Sequence, residues 1–333
     1  MTRNSLMEGW IDALSLCDKL EINILDKGMV KLVDCSPRIV PEGRTPEFRI
    51  VQCARVSYDK GIKTKIEDDA LITRLIEEKH TSPVEHVQFT FMLEIPIFVA
   101  VHLLRHRTAK INQFSQRYSE MQDKVFLPSS NPKEYIRLQD NVNKQGSNIS
   151  EHIDPKIIDA INDIEKYTMA TLQKYHELIN LGVAKEVARN YLPMGMYTKM
   201  YYTIDLNNLL KLLHLRMDKH SQHETQMCAK AMYDLIKPLV PKVIDIFDNF
   251  ENGMFMSQNE INSFTSGNID ASIVTSVRKN KSYNEKVKKL CGNGLYLNEE
   301  EVQSIKSDKI NENIIKNDTK YKSYINKMEK IFE

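Results

Sequence analysis

The residues best suited to chemistry lie in one short segment, residues 105–118, with the sequence RHRTAKINQFSQRY. It contains three arginines, one lysine, one histidine, three carboxamides, two aliphatic hydroxyls and one phenol. Guanidinium groups bind phosphates and planar oxyanions through forked, charge-assisted hydrogen bonds. A solvated basic loop is the alternative interpretation, since most charge runs are solvated. An apolar run at residues 97–104 precedes the segment, and this favours an anion site at the end of a core element.

A second cluster lies at residues 215–224, with the sequence LRMDKHSQHE. On one continuous helix Arg216, His220 and Glu224 would share a face, because they recur every four residues. A surface ladder of ion pairs is the alternative interpretation. Leucines flank the cluster, and a buried arginine needs an anionic partner, so we expect Arg216 to serve a binding site.

The elements that must position these clusters follow from hydrophobic periodicity and from turn residues. The pattern predicts strands at residues 21–25, 29–33, 87–95 and 197–204. It predicts helices at residues 67–79, 157–181, 184–189 and 207–235, the last either continuous or broken into a pair, and one opened by Pro96. We expect a weak helical stripe in residues 1–20, a long loop at residues 128–155, and small helices or disorder after about residue 250.

Together these elements predict an α+β fold, in which long helices cover a mixed or antiparallel sheet. We expect three parts: an N-terminal extension at residues 1–20, one functional domain at residues 21–245, and a C-terminal extension of unknown role at residues 246–333.

Composition narrows the classes of function for this chain of 333 residues. The net charge of +1 argues against a general nucleic-acid binder, so any anion site must be local. The sequence shows no apolar run of membrane-spanning length and no secretory signal, which predicts a cytoplasmic protein with no membrane partner. Five scattered cysteines without a C-x-x-C pair suit a reducing compartment and predict no structural metal.

The segment at residues 105–118 resembles the signature of the flavin-dependent thymidylate synthases, RHRxxSxN(E/Q)xSxRY. Asn112, Gln113, Ser115, Arg117 and Tyr118 fall on this signature, while a lysine at position 110 replaces its usual serine. Four further segments are similar to family elements, in the same order along the chain: ARVS at residues 54–57, HTSPVEH at 80–86, EVARNYLP at 186–193 and LRMDKHSQHE at 215–224.

The resemblance implies the fold of that family and the conversion of dUMP to dTMP. It implies methylenetetrahydrofolate as the one-carbon donor, FAD as the hydride carrier and NADPH as the reductant. A cofactor is chemically necessary, because protein side chains do not transfer hydride. The resemblance also implies a homotetramer, with active sites formed where subunits meet.

The resemblance also assigns residues to the two ligands. The dUMP set comprises His102, Arg105, Gln113, Ser115, Gln116, Arg117, Arg189 and Arg216. The FAD set comprises Ser82, Arg105, His106, Arg107, Gln113, Asp205, Asn207, Lys211 and His220. The last set departs from the family's NxR…N pattern at Asp205, Asn207 and Lys211, where an arginine is lost and a carboxylate is gained.

The chemistry of the base favours Arg216 as the catalytic residue. C5 of uracil is a poor nucleophile unless negative charge develops at N3 and O4 or a nucleophile adds at C6. A fixed guanidinium stabilises such charge as an oxyanion hole does. No cysteine lies in a strongly cationic cluster, so a thiolate nucleophile is not indicated. Ser115 has no general base beside it in sequence, so we interpret it as a nucleotide contact.

Two other hypotheses remain open at this point. A non-catalytic nucleotide- or RNA-binding protein could use Arg105, Arg107, Arg117 and Tyr118 for phosphates and stacking. A metal-dependent hydrolase could use His220, His223 and Glu224, although helical zinc sites space their two histidines four residues apart.

Overall fold

The computed structural model describes residues 9–56, 64–140, 146–150, 152–251 and 256–266, and the single residues 283, 286 and 287. The chain divides into two compact units, Met1–Asp248 and Asn249–Glu333. All elements named below up to residue 240 belong to the first unit. In the part of the chain that is described, no helix is long and apolar enough to cross a membrane.

The described residues form short strands and mostly short helices. The strands are β1 (Trp10–Asp12), β2 (Glu21–Ile24), β3 (Gly28–Ser36), β4 (Ile39–Pro41), β5 (Gln88–Pro96), β6 (Lys110–Gln113), β7 (Arg137–Gln139), β8 (Ser147–Ile149) and β9 (Tyr197–Asp205). The α-helices are α1 (Phe48–Ala54), α2 (Lys65–Glu77), α3 (Ile97–Leu103), α4 (Pro132–Tyr135), α5 (Pro155–Asn180), α6 (Lys185–Ala188), α7 (Leu206–Met217), α8 (His223–Ile236), α9 (Pro241–Glu251) and α10 (Gln258–Ser266). Short 3-10 helices cover Ala13–Leu16, Val84–His86, Pro128–Ser130 and Arg189–Tyr191.

One five-stranded sheet organises the first unit, in the order β2-β3-β5-β9-β6, with every neighbouring pair antiparallel. The central strand β5 places Phe89, Phe91 and Leu93 in the core with no exposed surface. Helices α7 and α8 contribute fully buried residues to the same core, such as Leu212 and Met232. The predicted α+β fold with an antiparallel sheet under helices is therefore confirmed.

Local capping explains where the predicted helices begin and end. At the start of α2 the hydroxyl of Thr64 accepts from the amide of Glu67, whose carboxylate accepts in turn from the amide of Thr64. At the start of α5 the carboxylate of Asp154 accepts from the amide of residue 156. This helix stops before Gly182, whose φ of +85° is costly for other residues.

Three predicted elements differ from the structure. Residues 10–12 form a strand paired with β4, not a helical stripe, and the following Ala13 and Leu14 are buried in the core. The predicted loop at residues 128–155 contains α4 and the hairpin of β7 and β8. Pro96 is the N-cap residue of α3, has extended backbone and lies outside the first turn of this helix. Pairing partners distant in sequence decide such short strands, and local periodicity does not show them.

The second unit is described only around α10. Ser257 and Glu260 cap this helix reciprocally: the hydroxyl accepts from the amide of Glu260, and the carboxylate accepts from the amide of Ser257 at 2.7 Å. Lys286 pairs with Glu260 at 2.6 Å. The small helix expected after residue 250 is present here, while most of residues 267–333 lie outside the described residues.

Candidate active site

Arg216 joins the two clusters that the sequence singled out. It lies half-buried in the last turn of α7, and its Nε donates to Nε2 of His106 at 3.0 Å. Its Nη2 donates to the main-chain carbonyl of His102 at 3.3 Å. His102 lies in the last turn of α3, and His106 lies in the turn that follows that helix. The end of α7 therefore meets the start of the basic segment, 110 residues earlier in the chain.

The surroundings of the two histidines beside Arg216 favour their neutral forms. Burial, followed by the charge of Arg216, lowers the pKa of His106. The same two causes lower the pKa of His102, although the buried carboxylate of Glu224 opposes them. Nδ1 of His102 lies 2.8 Å from the hydroxyl of Thr225, which is fully buried. Because a neutral imidazole keeps one acceptor nitrogen, His106 can accept from the guanidinium.

The prediction that Arg216, His220 and Glu224 share one helical face is wrong. Helix α7 ends at Met217, and Asp218 has extended backbone, with φ −60° and ψ 140°. The carboxylate of Asp218 accepts from the amide of His220 at 2.8 Å and lies 2.7 Å from its ring. This local side-chain contact competes with helical hydrogen bonding and breaks the helix. Glu224 then lies in the first turn of a separate helix, α8.

The remainder of the basic segment forms the edge strand β6 and an exposed turn. Gln113 donates from Nε2 to the hydroxyl of Thr198 on β9, at 3.1 Å. The hydroxyl of Ser115 accepts from the amide of Arg117 at 3.4 Å, and the Arg117 side chain pairs with Glu186 at 2.9 Å. The strand and the turn therefore fix the polar side chains that follow Arg105, His106 and Arg107.

Several predicted site cations have no side-chain partner among the described residues. Arg105, Arg107 and Lys211 are exposed, and Arg189 is half-buried. No hydrogen bond or ion pair of these four side chains occurs within the part of the chain that is described. Their charges are therefore available to an anionic ligand.

The other end of α7 carries the residues that depart from the family pattern. Asp205 caps the helix: its carboxylate accepts from the amide of Asn208 at 2.9 Å and from the side-chain amide of Asn208 at 2.8 Å. Asn207 is 7% exposed and donates to Glu85 at 3.0 Å. Glu85 belongs to the HTSPVEH turn, which also presents the exposed Ser82. Arg216 lies nine residues further along α7, which at 1.5 Å per residue is roughly 14 Å away.

The cysteines of the described chain are poor nucleophiles. Burial raises the pKa of Cys35 to about 12 and, by itself, that of Cys228 to about 12. Burial also raises the pKa of Cys17 and Cys53. Cys291 lies outside the described residues. At neutral pH these four thiols are protonated, whereas the thiolate is the nucleophilic form.

The histidines proposed for a metal site bind different partners. His220 lies against Asp218, while Nε2 of His223 lies 3.4 Å from Glu134. Among the described residues no group of three or more His, Cys, Asp or Glu side chains is arranged to hold a metal ion. The arrangement gives no support to the hydrolase hypothesis.

Three side chains that contact the site were not predicted from the sequence. Thr225 contacts His102, Thr198 contacts Gln113, and Glu186 contacts Arg117. Thr225 directly follows the second cluster, and Glu186 lies within the EVARNYLP segment, so their positions in the sequence could have indicated both. The sequence gives no such indication for Thr198, since only the pairing of β6 with β9 brings it near Gln113.

Comparisons with known proteins agree on one family. Residues 38–242, which include all five sequence motifs, match the model described as thymidylate synthase complementing protein. A flavin-dependent thymidylate synthase of Dictyostelium discoideum is 37% identical over 282 residues, covering 84% of this chain and 91% of the relative. Another, from Kosmotoga olearia, is 41% identical over 231 residues, covering 69% of this chain and 94% of the relative.

A solved structure shows the same fold. The UMP/dUMP methylase PolB from Streptomyces cacaoi, bound with 5-Br dUMP, matches with a TM-score of 0.58 and 26% sequence identity. The match covers 68% of this chain and 97% of the PolB chain.

Proposed function

Since the chain belongs to the flavin-dependent thymidylate synthase family, we propose that this thymidylate synthase activates dUMP with Arg216 and holds FAD with the cations around His106. The enzyme converts dUMP to dTMP by reductive methylation. Methylenetetrahydrofolate is the proposed one-carbon donor and NADPH the proposed reductant. Relatives that are all named as enzymes count against a non-catalytic nucleotide- or RNA-binding protein.

One observation carries the catalytic assignment: the half-buried guanidinium of Arg216 is held against the basic segment by His106 and by the carbonyl of His102. Negative charge at N3 and O4 of the uracil ring gives C5 its nucleophilic character. A positive charge that is fixed in advance stabilises this anion without reorganising during the reaction. Arg216 is the positioned cation that the mechanism needs.

The routes through a covalent nucleophile have less support. The raised pKa values of Cys35 and Cys228 disfavour a thiolate there at neutral pH. The hydroxyl of Ser115 accepts a hydrogen bond from the amide of Arg117. Among the contacts of the described residues, no general base lies beside this hydroxyl, and an unactivated hydroxyl is a weak nucleophile. We therefore expect Ser115→Ala to retain measurable dTMP formation.

The donor set of the site fits FAD, whose diphosphate needs cations and N–H donors. Arg105, Arg107 and Lys211 offer side chains with no ion pair in the described part of the chain. We propose that they hold the diphosphate, together with Ser82, His106, Gln113 and His220 as further contacts. When bound, FAD supplies the hydride that completes the methyl group. Asp205 and Asn207 are the other members of the proposed FAD set, and both also have protein partners: Asp205 caps α7, and Asn207 donates to Glu85.

The nucleotide would lie against Arg216. The proposed dUMP contacts are His102, Arg105, Gln113, Ser115, Gln116, Arg117, Arg189 and Arg216. Arg117 and Arg189 are the proposed phosphate ligands, since forked guanidiniums match phosphate geometry. The exposure of Arg105, Arg107 and Arg117 in a single chain is consistent with further walls from other subunits of a homotetramer.

An anaerobic assay tests this function. Purified protein should be yellow, its flavin absorption should bleach with NADPH, and dTMP should form from dUMP and methylenetetrahydrofolate. Arg216→Ala should keep its flavin and lose dTMP formation by a factor of at least about 100, the scale of a removed oxyanion donor. Arg74→Ala, which removes an exposed arginine of α2, is the matched control. Near-normal turnover of Arg216→Ala would refute the electrostatic mechanism.

A further inference from the structure

The protein occupies one defined edge of the Arg216 guanidinium. A guanidinium presents its five N–H groups along two forked edges, a side edge of Nε and Nη2 and an end edge of Nη1 and Nη2. Here Nε donates to His106 at 3.0 Å, and Nη2 donates to the carbonyl of His102 at 3.3 Å. Nε and Nη2 are the two donors of the side edge, and Nη2 keeps a second N–H. Within the described residues Nη1 has no partner, so the end edge remains available as a planar, two-pronged donor.

The contact with His106 exists only while its imidazole is neutral. Nε2 must present a lone pair to accept from Arg216, so Nδ1 carries the ring proton. Protonation would place N–H against N–H and bring two cations within hydrogen-bonding distance. Burial and the charge of Arg216 lower the pKa of His106, which keeps the acceptor in place near neutral pH.

We propose that His106 is a positioning residue for Arg216: by accepting from Nε it fixes the plane of the guanidinium and directs its end edge toward the uracil carbonyl and N3. This inference rests on the proposed function of Arg216 and gives His106 a role distinct from the flavin contact that the family resemblance implies. The carbonyl of His102 completes the anchor, and the Thr225 hydroxyl holds the His102 ring.

The other charged groups at this corner do not duplicate the role of His106. From α7 the group is Arg216 itself, from α3 it is His102, and from the start of α8 it is Glu224. Glu224 acts on the pKa of His102, while Arg216 is the charge that acts on His106. If the pH dependence of dUMP affinity disappears when only residue 106 is changed, it is therefore attributable to His106.

Two substitutions in the FAD-loaded enzyme separate the effect of the hydrogen-bond acceptor at residue 106 from the effect of imidazole protonation. His106→Gln keeps an acceptor oxygen near the position of Nε2 but does not titrate. His106→Leu has a similar volume and no acceptor. For both variants and wild type, dUMP affinity is measured by calorimetry between pH 5 and 8, and FAD affinity is measured by fluorescence. The dUMP phosphate also titrates, with a second pKa of about 6. It does so equally in all three proteins, so the difference between wild type and His106→Gln isolates the imidazole.

The expected result is a split between the variants. His106→Leu should weaken dUMP binding by about tenfold, because a hydrogen bond to a charged group is lost. His106→Gln should recover most of the affinity and should lack the acid-side weakening that wild type shows below the ordinary imidazole pKa of 6.5. The proposal is overturned if His106→Gln keeps the wild-type pH dependence, or if both variants lose FAD affinity while dUMP affinity stays unchanged.

A measurement without nucleotide keeps the test independent of turnover and of substrate identity. NMR titration of histidine-labelled protein should show the pKa of His106 rising when Arg216 is replaced by alanine, since the neighbouring charge is gone. An unchanged titration would refute the contact itself. Absence of dTMP formation by wild type, with this coupling intact, would instead count against the proposed function alone.

Discussion

The carboxylate of Glu186 competes with the dUMP phosphate that we expect Arg117 to bind. The Arg117 side chain is 69% exposed and pairs with Glu186 at 2.9 Å. Exposed ion pairs contribute little to stability, because water screens them and two long side chains must be ordered. A dianionic phosphate can therefore displace the carboxylate, but the carboxylate reduces the net attraction.

This competition predicts the effect of Glu186→Gln. We expect dUMP to bind more tightly, by up to about fivefold at low salt, because the rival carboxylate is removed. Glu177→Gln, which neutralises an exposed carboxylate paired with Lys174, is the control and should leave the affinity unchanged. Calorimetry at two ionic strengths measures the effect, which should shrink as salt rises. Weaker binding by Glu186→Gln would show that Glu186 orients Arg117.

The sequence could name most of these side chains but not their partners. Arg216 and His106 stand out because their residue types, flanked by apolar chain, suit an anion site. Their hydrogen bond joins residues 110 positions apart, and no local pattern encodes it. For Asp205 the sequence shows only a carboxylate that departs from the family pattern, whereas in the structure this carboxylate caps α7.

At the scale of elements, α7 is the part that positions both ends of the site. Its first turn carries Asn207, its last turn carries Arg216, and the Asp205 cap fixes where the helix starts. The break at Asp218 separates α7 from α8, although the apolar pattern of residues 207–235 suits one helix as well as two. Strand β6 was not predicted, because a basic, polar segment lacks the alternation typical of strands.

The cap of α7 can be tested by substitution at Asp205. Asp205→Ala should lower the free energy of unfolding by about 1 kcal/mol, since the amide of Asn208 loses its acceptor. Asp205→Asn should retain most of the stability, because asparagine caps nearly as well. Urea denaturation of the three proteins measures this order. A direct flavin role would instead appear as altered FAD affinity in both variants, with stability unchanged.

At the scale of the molecule, the core of the first unit ties distant parts of the chain to the sheet. Its buried members extend from Ala13 to Phe247. The long periodic helices and the strands β5 and β9 were predictable, since each carries its own apolar pattern. The burial of Ala13 and the pairing of β1 with β4 were not, because both depend on chain that is remote in sequence.

One buried carboxylate connects the start of α1 with the start of α9. Glu47 is 5% exposed and accepts from the amides of Lys242 and Val243, in the first turn of α9, at 3.0 and 3.1 Å. Burial raises its pKa from 4.5 to about 7, against the lowering effect of these hydrogen bonds. The charged form is thus tolerated in the folded protein only at a cost in free energy.

This raised pKa predicts that Glu47 makes the protein less stable as pH rises. Below pH 4.5 the carboxyl is protonated in both states; between 4.5 and 7 the unfolded state ionises first, so the folded state binds more protons and stability falls. By pH 8 the loss relative to pH 5 should be about 2–3 kcal/mol, at 1.36 kcal/mol per pKa unit. Glu47→Gln should lack this loss, whereas Glu42→Gln, an exposed carboxylate in the same segment, should behave as wild type. Urea titrations at the two pH values measure this difference in stability. If wild type and Glu47→Gln show the same pH dependence, Glu47 is ionised in the folded protein at acid pH, and the amides of α9 stabilise its charge.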